Sequence, residues 1–595
     1  MCLLPIAFAF VAVFGTAVHL QYAAAIHQAP QKTSTNTNVV NVIVAGATGD
    51  LAAKYLWVAL FRLALKGQST YRRTYRFYAG ASDTLERGSA WIETFFDKVF
   101  AERVCGDIGN EASTAQIKCL EFLEKGFKPN VEYAPLRTEN HYRDLGRRLT
   151  ESNDKTEEGR LVYLAIPPQF FLQSCEMIHR HLRPLQKEMG SVDPFLRVVV
   201  EKPFGRDLQT AHELAMRLRE MYKSDELYVM DHYAGKPVVH ALRNYFHINA
   251  AALHPIWNSQ HIRDIHIEMT ETSTLENRVH YFDSAGIIRD IMVNHLQLLL
   301  NVAVTPSFES SIFSTSIPPR EFARELHERQ LHFIKSLKHP RKQTQGSFFV
   351  AQYDEYEVHY EEELDKRLAQ SNHFTPTAAM VELTSSLDAW ENTTFRLAAA
   401  KATAKRLLAI IVTFKDSFFS NIEAQSCTFT VIIQRELNTD SHHSHRIEWS
   451  CDIEKLQPRF KLPGGWKYLH PDNNRILVPV EATAGQVEHG IEAAEWELGD
   501  EPSAYDILLR EVASGSMENF ADLDEVEAAW ELWTPLVNAA ESIETSDTQT
   551  NKPHETDSPH TSKRKHASYP AGTSPWKQLY HSRSQLVSPS PRDEL

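Results

Sequence analysis

Apolar residues fall in two rhythms along this chain. Val39-Val40-Asn41-Val42-Ile43-Val44-Ala45 is nearly continuous, the mark of a strand buried on both faces of a parallel sheet. After Gly46-Ala47-Thr48-Gly49-Asp50-Leu51-Ala52, the residues Leu56, Leu60, Phe61 and Leu63 recur at helical spacing. Short apolar runs at 75–80, 161–166, 197–200 and 227–230 alternate with further helical patterns, which predicts a doubly wound parallel sheet over 39–230. From about 231 the pattern is helical and then turns to longer alternating strands at 378–386, 394–400, 407–413 and 428–435. That predicts an α+β domain over 231–540 with a large, mostly antiparallel sheet, closed by helices at 504–512 and 522–536. One helix stands out: Ile287, Ile288, Ile291, Met292, Leu296, Leu299 and Leu300 share a face, with Asp283 or Ser284 available as N-cap. His295 projects from that apolar stripe. There is no internal repeat.

The two ends read differently from the middle. Residues 3–14 are apolar and lead to Ala23-Ala24-Ala25, so 1–25 reads as a secretory signal peptide, followed by a polar linker over 26–38. Beyond it, no helical span reads as long and apolar enough to cross a bilayer. Residues 541–595 are rich in Ser, Thr, His, Pro and Lys, which predicts a disordered tail. It closes on Arg592-Asp593-Glu594-Leu595, a variant of the luminal retrieval address. The expected location is the endoplasmic reticulum lumen, with a retrieval receptor as partner. There, Cys105 with Cys119, or Cys427 with Cys451, could pair, although the sequence leaves connectivity open. Asn392-Thr393-Thr394 is a glycosylation acceptor in such a compartment.

Composition narrows the partners. The chain has 595 residues, 43% hydrophobic and 23% charged, enough for a full core and two or three domains. A net charge of -15 and a pI near 6.0 exclude nucleic-acid binding through a broad basic surface, while leaving room for a local pocket for a phosphorylated small molecule. No Cys has zinc-site spacing, and no metal site is expected.

The strand, glycine turn and helix at 39–63 form a phosphate-binding βα unit of the Rossmann-like type. Backbone N–H groups approach a pyrophosphate there, and the positive end of the helix holds it. Gly46, Thr48, Gly49, Asp50 and Leu51 are its cofactor-binding candidates. Pro167 and Lys202 join them, because both follow strand ends, where open α/β sheets place ligands.

Three blocks in order resemble the glucose-6-phosphate dehydrogenase family: Glu201-Lys202-Pro203-Phe204-Gly205, Asp231-His232-Tyr233-Ala234-Gly235-Lys236, and Gly286-Ile287-Ile288-Arg289-Asp290-Ile291-Met292-Val293-Asn294-His295. Tyr163-Leu164-Ala165-Ile166-Pro167-Pro168 adds to them, and the likeness covers about 39–540. The run Gly49-Asp50-Leu51-Ala52-Ala53-Lys54-Tyr55-Leu56-Trp57 is similar to the endoplasmic-reticulum branch, hexose-6-phosphate dehydrogenase. That branch normally carries a lactone-hydrolysing domain where this chain has its tail.

The resemblance implies oxidation of glucose 6-phosphate at C1 to the lactone with hydride transfer to NADP or NAD, the first step of the oxidative pentose phosphate pathway. Other hexose 6-phosphates are further candidates, and a homo-oligomer is an open expectation. It implies His295 as the base and Asp231 as its carboxylate partner, which agrees with a histidine whose tautomer a buried carboxylate fixes. It makes His232, Tyr233 and Lys236 the sugar-phosphate cradle and sets Lys202 between substrate and cofactor. Glu271 and Asp290 would bond sugar hydroxyls, and Lys401 and Arg406 would reach over the site. The Lys202-Pro203 bond and the one following Pro167 are candidate cis peptides.

Some positions depart from the family. Val229 stands where an Arg is usual, Ala398-Ala399-Ala400-Lys401 replaces Arg-x-Gly-Lys, and Phe246-His247-Ile248-Asn249 replaces Arg-Phe-Ala-Asn. Leu407 and Ile411 fall where some members hold a second, structural NADP. Beyond the second strand, Tyr78-Ala79-Gly80-Ala81-Ser82-Asp83 lacks the Arg that clamps the 2′-phosphate of NADP. Two other readings compete: an inositol-dehydrogenase-type sugar oxidoreductase, and a non-catalytic nucleotide-binding descendant.

Overall fold

A computed structural model describes residues 38–67, 73–106, 113–151, 157–185, 193–306, 319–339, 347–364, 374–415, 427–435, 446–449, 466–468, 476–479, 503–542 and 567–576. The expected signal peptide, the linker up to residue 37, Cys451 and the terminal Arg592-Asp593-Glu594-Leu595 lie outside the described residues.

Six strands form the first sheet: β1 (Asn38–Ala45), β2 (Arg73–Ala81), β3 (Val131–Pro135), β4 (Glu157–Leu164), β5 (Phe195–Glu201) and β6 (Leu227–Met230). All pairings are parallel, in the order β3-β2-β1-β4-β5-β6. The order reverses between β1 and β4, which opens a crevice at their carboxyl ends. Strand β3 has no counterpart in the sequence reading, because Val-Glu-Tyr-Ala-Pro is short and half polar. Beneath the sheet Trp57, fully buried, donates its indole N–H to the Ala47 carbonyl at 3.0 Å and so pins the glycine turn. Phe61, Phe96, Phe100 and Phe127 pack edge to face around it. Cys105 and Cys119 form a disulfide beside this cluster, one of the two pairings considered; Cys427 is also disulfide-bonded.

The second sheet has eleven strands: β7 (Ile262–Thr270), β8 (Leu337–Lys338), β9 (Phe348–Tyr353), β10 (Ala378–Ser385), β11 (Thr394–Ala400), β12 (Leu407–Phe414), β13 (Thr428–Arg435), β14 (Arg446–Trp449), β15 (Trp466–Tyr468), β16 (Ile476–Pro479) and β17 (Ala567–Tyr569). Their order is β15-β16-β14-β13-β12-β7-β11-β10-β9-β17, with β8 on β10. The sheet is mostly antiparallel, as expected; among the described residues only β7 with β11 and β17 with β9 run parallel. Central β7 is missing from the expected strands although Ile265, Ile267 and Met269 alternate with polar His266, Glu268 and Thr270; in the sheet most of both sets are buried.

Three expectations are corrected. The proposed tail is ordered over 567–576: β17 extends the sheet, Tyr569 and Trp576 are buried, and the Trp576 indole donates to Glu268 at 2.8 Å. The His295 helix does not begin at a side-chain cap on Asp283 or Ser284. Gly286, at φ +62°, breaks a helix over Val279–Ile287, and the Pro376 carbonyl accepts from Ile287 N at 2.9 Å. The widened turns of a π-helix over Ile288–Leu296 follow, a form frequent at functional sites, before ordinary helix resumes at Gln297–Val304. The whole stretch Val279–Val304 is long and apolar enough to cross a bilayer, contrary to the sequence reading, but 78% of its most apolar window is buried inside the fold.

The last two helices return to the first domain. Ala504–Ser514 lies on Trp57–Lys66, where Asp506 meets Arg62 at 2.7 Å, and Val229 bridges to Ala521. Leu523–Glu541 lies along Leu208–Met221, with Arg219 paired to Asp524 and Glu527. The boundary expected at 230/231 therefore separates sheets, not independent halves of the chain.

Candidate active site

The glycine turn has the geometry that a dinucleotide requires. Gly46 sits at φ +87°, and a Cβ there would lie 2.1 Å from the Ala165 carbonyl oxygen, so only glycine fits between β1 and β4. Gly46 N and Ala47 N donate to Gly80 O at 2.7 and 2.9 Å, and Gly49 N donates to Gly46 O at 3.0 Å. Helical turns begin at Asp50, which pairs at the surface with Lys54 at 3.0 Å. Thr48, Gly49, Asp50 and Leu51 thus stand at a helix N-terminus that points its N–H groups into the crevice. Pro167 follows β4 on the same edge. These residues fit a bound nicotinamide dinucleotide.

At the end of β6 the chain turns through Asp231, and the π-helix brings His295 onto it. Both side chains are buried. His295 Nδ1 lies 2.6 and 2.8 Å from the two Asp231 oxygens. A carboxylate only accepts, so Nδ1 carries the proton and Nε2 is left unprotonated. Burial would raise the Asp231 carboxyl, but His295, then His232 and Lys202, override it and hold it well below the carboxylate range. Burial lowers His295 from the ordinary histidine value, with Asp231 pulling the other way. The pair therefore rests as a carboxylate beside a neutral imidazole.

The residues expected to cradle a phosphate come together around the next turn. The Tyr233 ring lies 4.1 Å from that of His295, and His232 is 5.1 Å from it on a perpendicular plane. Burial, with His295 next, pushes His232 down to about 3, so it serves as a neutral hydrogen-bonding group. Lys236 is the N-cap of helix Pro237–Ile248, with its ammonium 5.5 Å over the Tyr233 ring. A lysine and a helix N-terminus thus coincide, two independent attractions for a phosphate. The sequence reading noticed only the lysine, although Pro237 at the first helical position was the available signal.

A charged cluster closes the other side. Lys401, buried at the end of β11, bonds Glu271 and lies 3.3 Å from Asp290. Burial would raise Asp290, but Lys202 and Lys401 hold its carboxyl down. Lys202 donates to the Asp290 carbonyl at 3.1 Å, and its bond to Pro203 is cis. The bond following Pro167 is not among the cis peptides, against expectation. Arg406 is exposed at the rim, where its charge reaches Lys236.

Comparison with known proteins accounts for both sheets. The family description "Glucose-6-phosphate dehydrogenase, NAD binding domain" matches residues 43–241, and its C-terminal domain matches 245–569. The chain belongs to the glucose-6-phosphate dehydrogenase family. It is 29% identical to a rabbit (Oryctolagus cuniculus) GDH/6PGL endoplasmic bifunctional protein over 84% of this chain and 59% of that one. It is 27% identical to the chloroplastic glucose-6-phosphate 1-dehydrogenase 3 of Arabidopsis thaliana over 86% of this chain and 76% of that one. The chain therefore spans about three fifths of the endoplasmic relatives it matches. A solved glucose-6-phosphate dehydrogenase in complex with its substrate glucose-6-phosphate shares the fold, with TM-score 0.63 and 22% identity over 94% of this chain and 100% of that one.

Two residues escaped the sequence reading. Glu201, beside Lys202, accepts from the Tyr163 hydroxyl, and burial raises its carboxyl to about 7. Tyr505, from the returning helix, stacks between Tyr55 and His232 at 5.5 and 6.1 Å and lies near enough to feel the Glu201 charge. Gly235 makes room for this helix, since a Cβ there would lie 2.4 Å from the Ala504 carbonyl oxygen. Nothing local could reveal contacts spanning some three hundred residues.

Proposed function

We propose that this protein oxidises glucose 6-phosphate at C1 to 6-phosphogluconolactone, and that His295, Asp231 and the Lys236 cradle carry the reaction. The observation that supports it most is the buried His295–Asp231 pair next to a lysine-capped helix N-terminus. The sugar phosphate binds to Lys236 and the first turn of Pro237–Ile248, with His232 and Tyr233 as directed hydrogen-bonding groups. Glu271 and Asp290, held by Lys401, orient the ring hydroxyls. His295 Nε2 takes the O1 proton, and Asp231 stabilises the imidazolium that forms. A nicotinamide held at the Gly46 turn supplies the hydride acceptor. Lys202 stands between the two ligands, with Arg406 over the cradle.

The test is reduction of NADP and NAD by the purified full chain with glucose 6-phosphate, other hexose 6-phosphates and the unphosphorylated sugars. Reduction only with phosphorylated sugars supports the proposal. Cofactor binding without reduction would make the chain a nucleotide-binding descendant, and equal use of free sugars would favour an inositol-dehydrogenase-type enzyme.

Residence in the endoplasmic reticulum lumen belongs to the same reading. It draws on the signal-like segment at 1–25, on Arg592-Asp593-Glu594-Leu595 and on the Cys105–Cys119 disulfide, which suits an oxidising compartment. Removing the last four residues should cause secretion of active protein, and unchanged retention would refute that role.

A further inference from the structure

Helix Pro237–Ile248 carries a second basic feature beyond the cradle. Lys236, His240 and Arg243 follow one another at steps of four and three, along one face. Arg243 lines a cavity of about 100 Å³ that also touches Asp231, Lys202, Asn301 and Gln330. Val229, where the resemblance leads one to expect an Arg, lines it too. Glu518, Asn519 and Glu525 complete its polar wall.

Buried polar groups are ordinarily hydrogen-bonded, and buried charges paired. Among the described residues, Arg243 Nε, Asn519 Oδ1 and Glu525 Oε1 have no partner. Asn519 and Glu525 are only 3% and 4% exposed. Their remaining atoms are committed: Asn519 Nδ2 donates to Glu511 at 2.7 Å, and Glu525 Oε2 accepts from Asp522 N at 2.9 Å and lies 3.2 Å from His327 Nδ1. The residues that line the cavity thus include one unpartnered cationic donor and two unpartnered acceptors, one of them a carboxylate oxygen.

Among the described residues no carboxylate contacts Arg243, and Glu518, Glu511 and Glu525 act on it only from a distance. Burial opposes protonation of His327, but Glu525 overrides it and raises the imidazole, so those two groups offset each other. Burial pushes the Glu511 carboxyl to about 7, which halves its charge near neutrality. Burial lowers Arg243 and outweighs the opposing pull of Glu518, Glu511 and Glu525, none of which pairs with it directly. Glu518, at the partly exposed edge, is the remaining carboxylate.

We propose that this cavity binds a small oxyanion that retains a hydroxyl, with hydrogen phosphate and hydrogen carbonate as its two sources, at a site separate from the sugar-phosphate cradle. The charged oxygen accepts from Arg243 Nε, and the hydroxyl donates to Asn519 Oδ1 or Glu525 Oε1. Water would satisfy the same hydrogen bonds but not the charge. Sulfate, with no O–H at neutral pH, would set lone pairs against both acceptors. The volume suffices for several waters or one such ion. The site does not depend on turnover of the sugar.

The test is thermal stability and calorimetric titration of the full chain at neutral pH with inorganic phosphate, bicarbonate or sulfate, with and without saturating glucose 6-phosphate. With the cradle filled, phosphate or bicarbonate should still bind and raise Tm, and sulfate should not. The tighter of the two identifies the source. Arg243→Met, and independently Asn519→Leu, should weaken that binding at least ~10-fold, the scale of a charge-assisted hydrogen bond. Lys236→Ala should leave it in place, which separates the two sites without relying on sugar binding. Absence of binding in the wild type, binding lost in Lys236→Ala but kept in Arg243→Met, or an equal response to sulfate would each overturn the proposal.

Discussion

His295 Nδ1 donates to both carboxylate oxygens of Asp231, at 2.6 and 2.8 Å, with both side chains buried. That bond fixes which nitrogen can act. His295→Asn should lower kcat by about 10²–10⁴-fold with KM little changed, because proton transfer acts in the transition state. Steady-state kinetics decides it, and full turnover in the variant would remove His295 from the role of base.

Asp231→Asn should shift the acid limb of the pH profile as well as lower the plateau. The base works as neutral imidazole, so activity rises with pH through the His295 pKa, which burial has already lowered. Loss of the carboxylate removes the group that pulls this pKa up. The limb should therefore move to lower pH in kcat/KM against pH, and a move to higher pH would contradict the assignment.

Lys236→Ala should act through binding. A charge-assisted hydrogen bond to phosphate contributes about 1.5–3 kcal/mol, so KM for glucose 6-phosphate should rise about 10- to 150-fold with a smaller change in kcat. An unchanged KM would place the phosphate elsewhere.

Glu201 offers a stability test. Its carboxyl is raised from 4.5 to about 7 by burial, so the fold favours the protonated form. That contribution is fully present below pH 4.5 and is lost as pH rises to about 7, a change of about 3 kcal/mol for a group so enclosed. Glu201→Gln keeps an acceptor for Tyr163 and cannot ionise. Its Tm should fall less than the wild type's between pH 5 and 8, and parallel curves would show that Glu201 does not titrate there.

Cofactor choice should be relaxed. Ala81 is buried at the end of β2, and Ser82 and Asp83 beyond it are exposed, with the Asp83 carbonyl accepting from Tyr133 at 3.0 Å. An Asp at this edge can bond ribose hydroxyls and repel a 2′-phosphate, and no Arg offsets it in the turn. Use of both NAD and NADP is expected from kcat/KM at saturating sugar phosphate, and an NADP preference above ~1,000-fold would refute it.

The sequence by itself determined what depends on local rhythm and on compact motifs. The apolar run at 39–45 followed by Gly46 specified a buried strand, a turn and a helix, because no other backbone buries those residues and accepts a positive φ at that point. The dense block from Asp231 to Lys236, with His295 on an apolar stripe, marked the residues that the fold brings together. Tertiary structure decided what needs distant partners. The alternation of β7 is in the sequence but its place between β11 and β12 is not, and the 567–576 segment looks polar until Tyr569 and Trp576 find the sheet. The same holds for Glu201, whose protonation follows from enclosure by Tyr163 and Tyr505, and for Arg243, whose missing partner appears only when helices far apart in sequence close a cavity around it. Periodicity reports which face of an element is dry, whereas desolvation and pairing depend on what packs against that face.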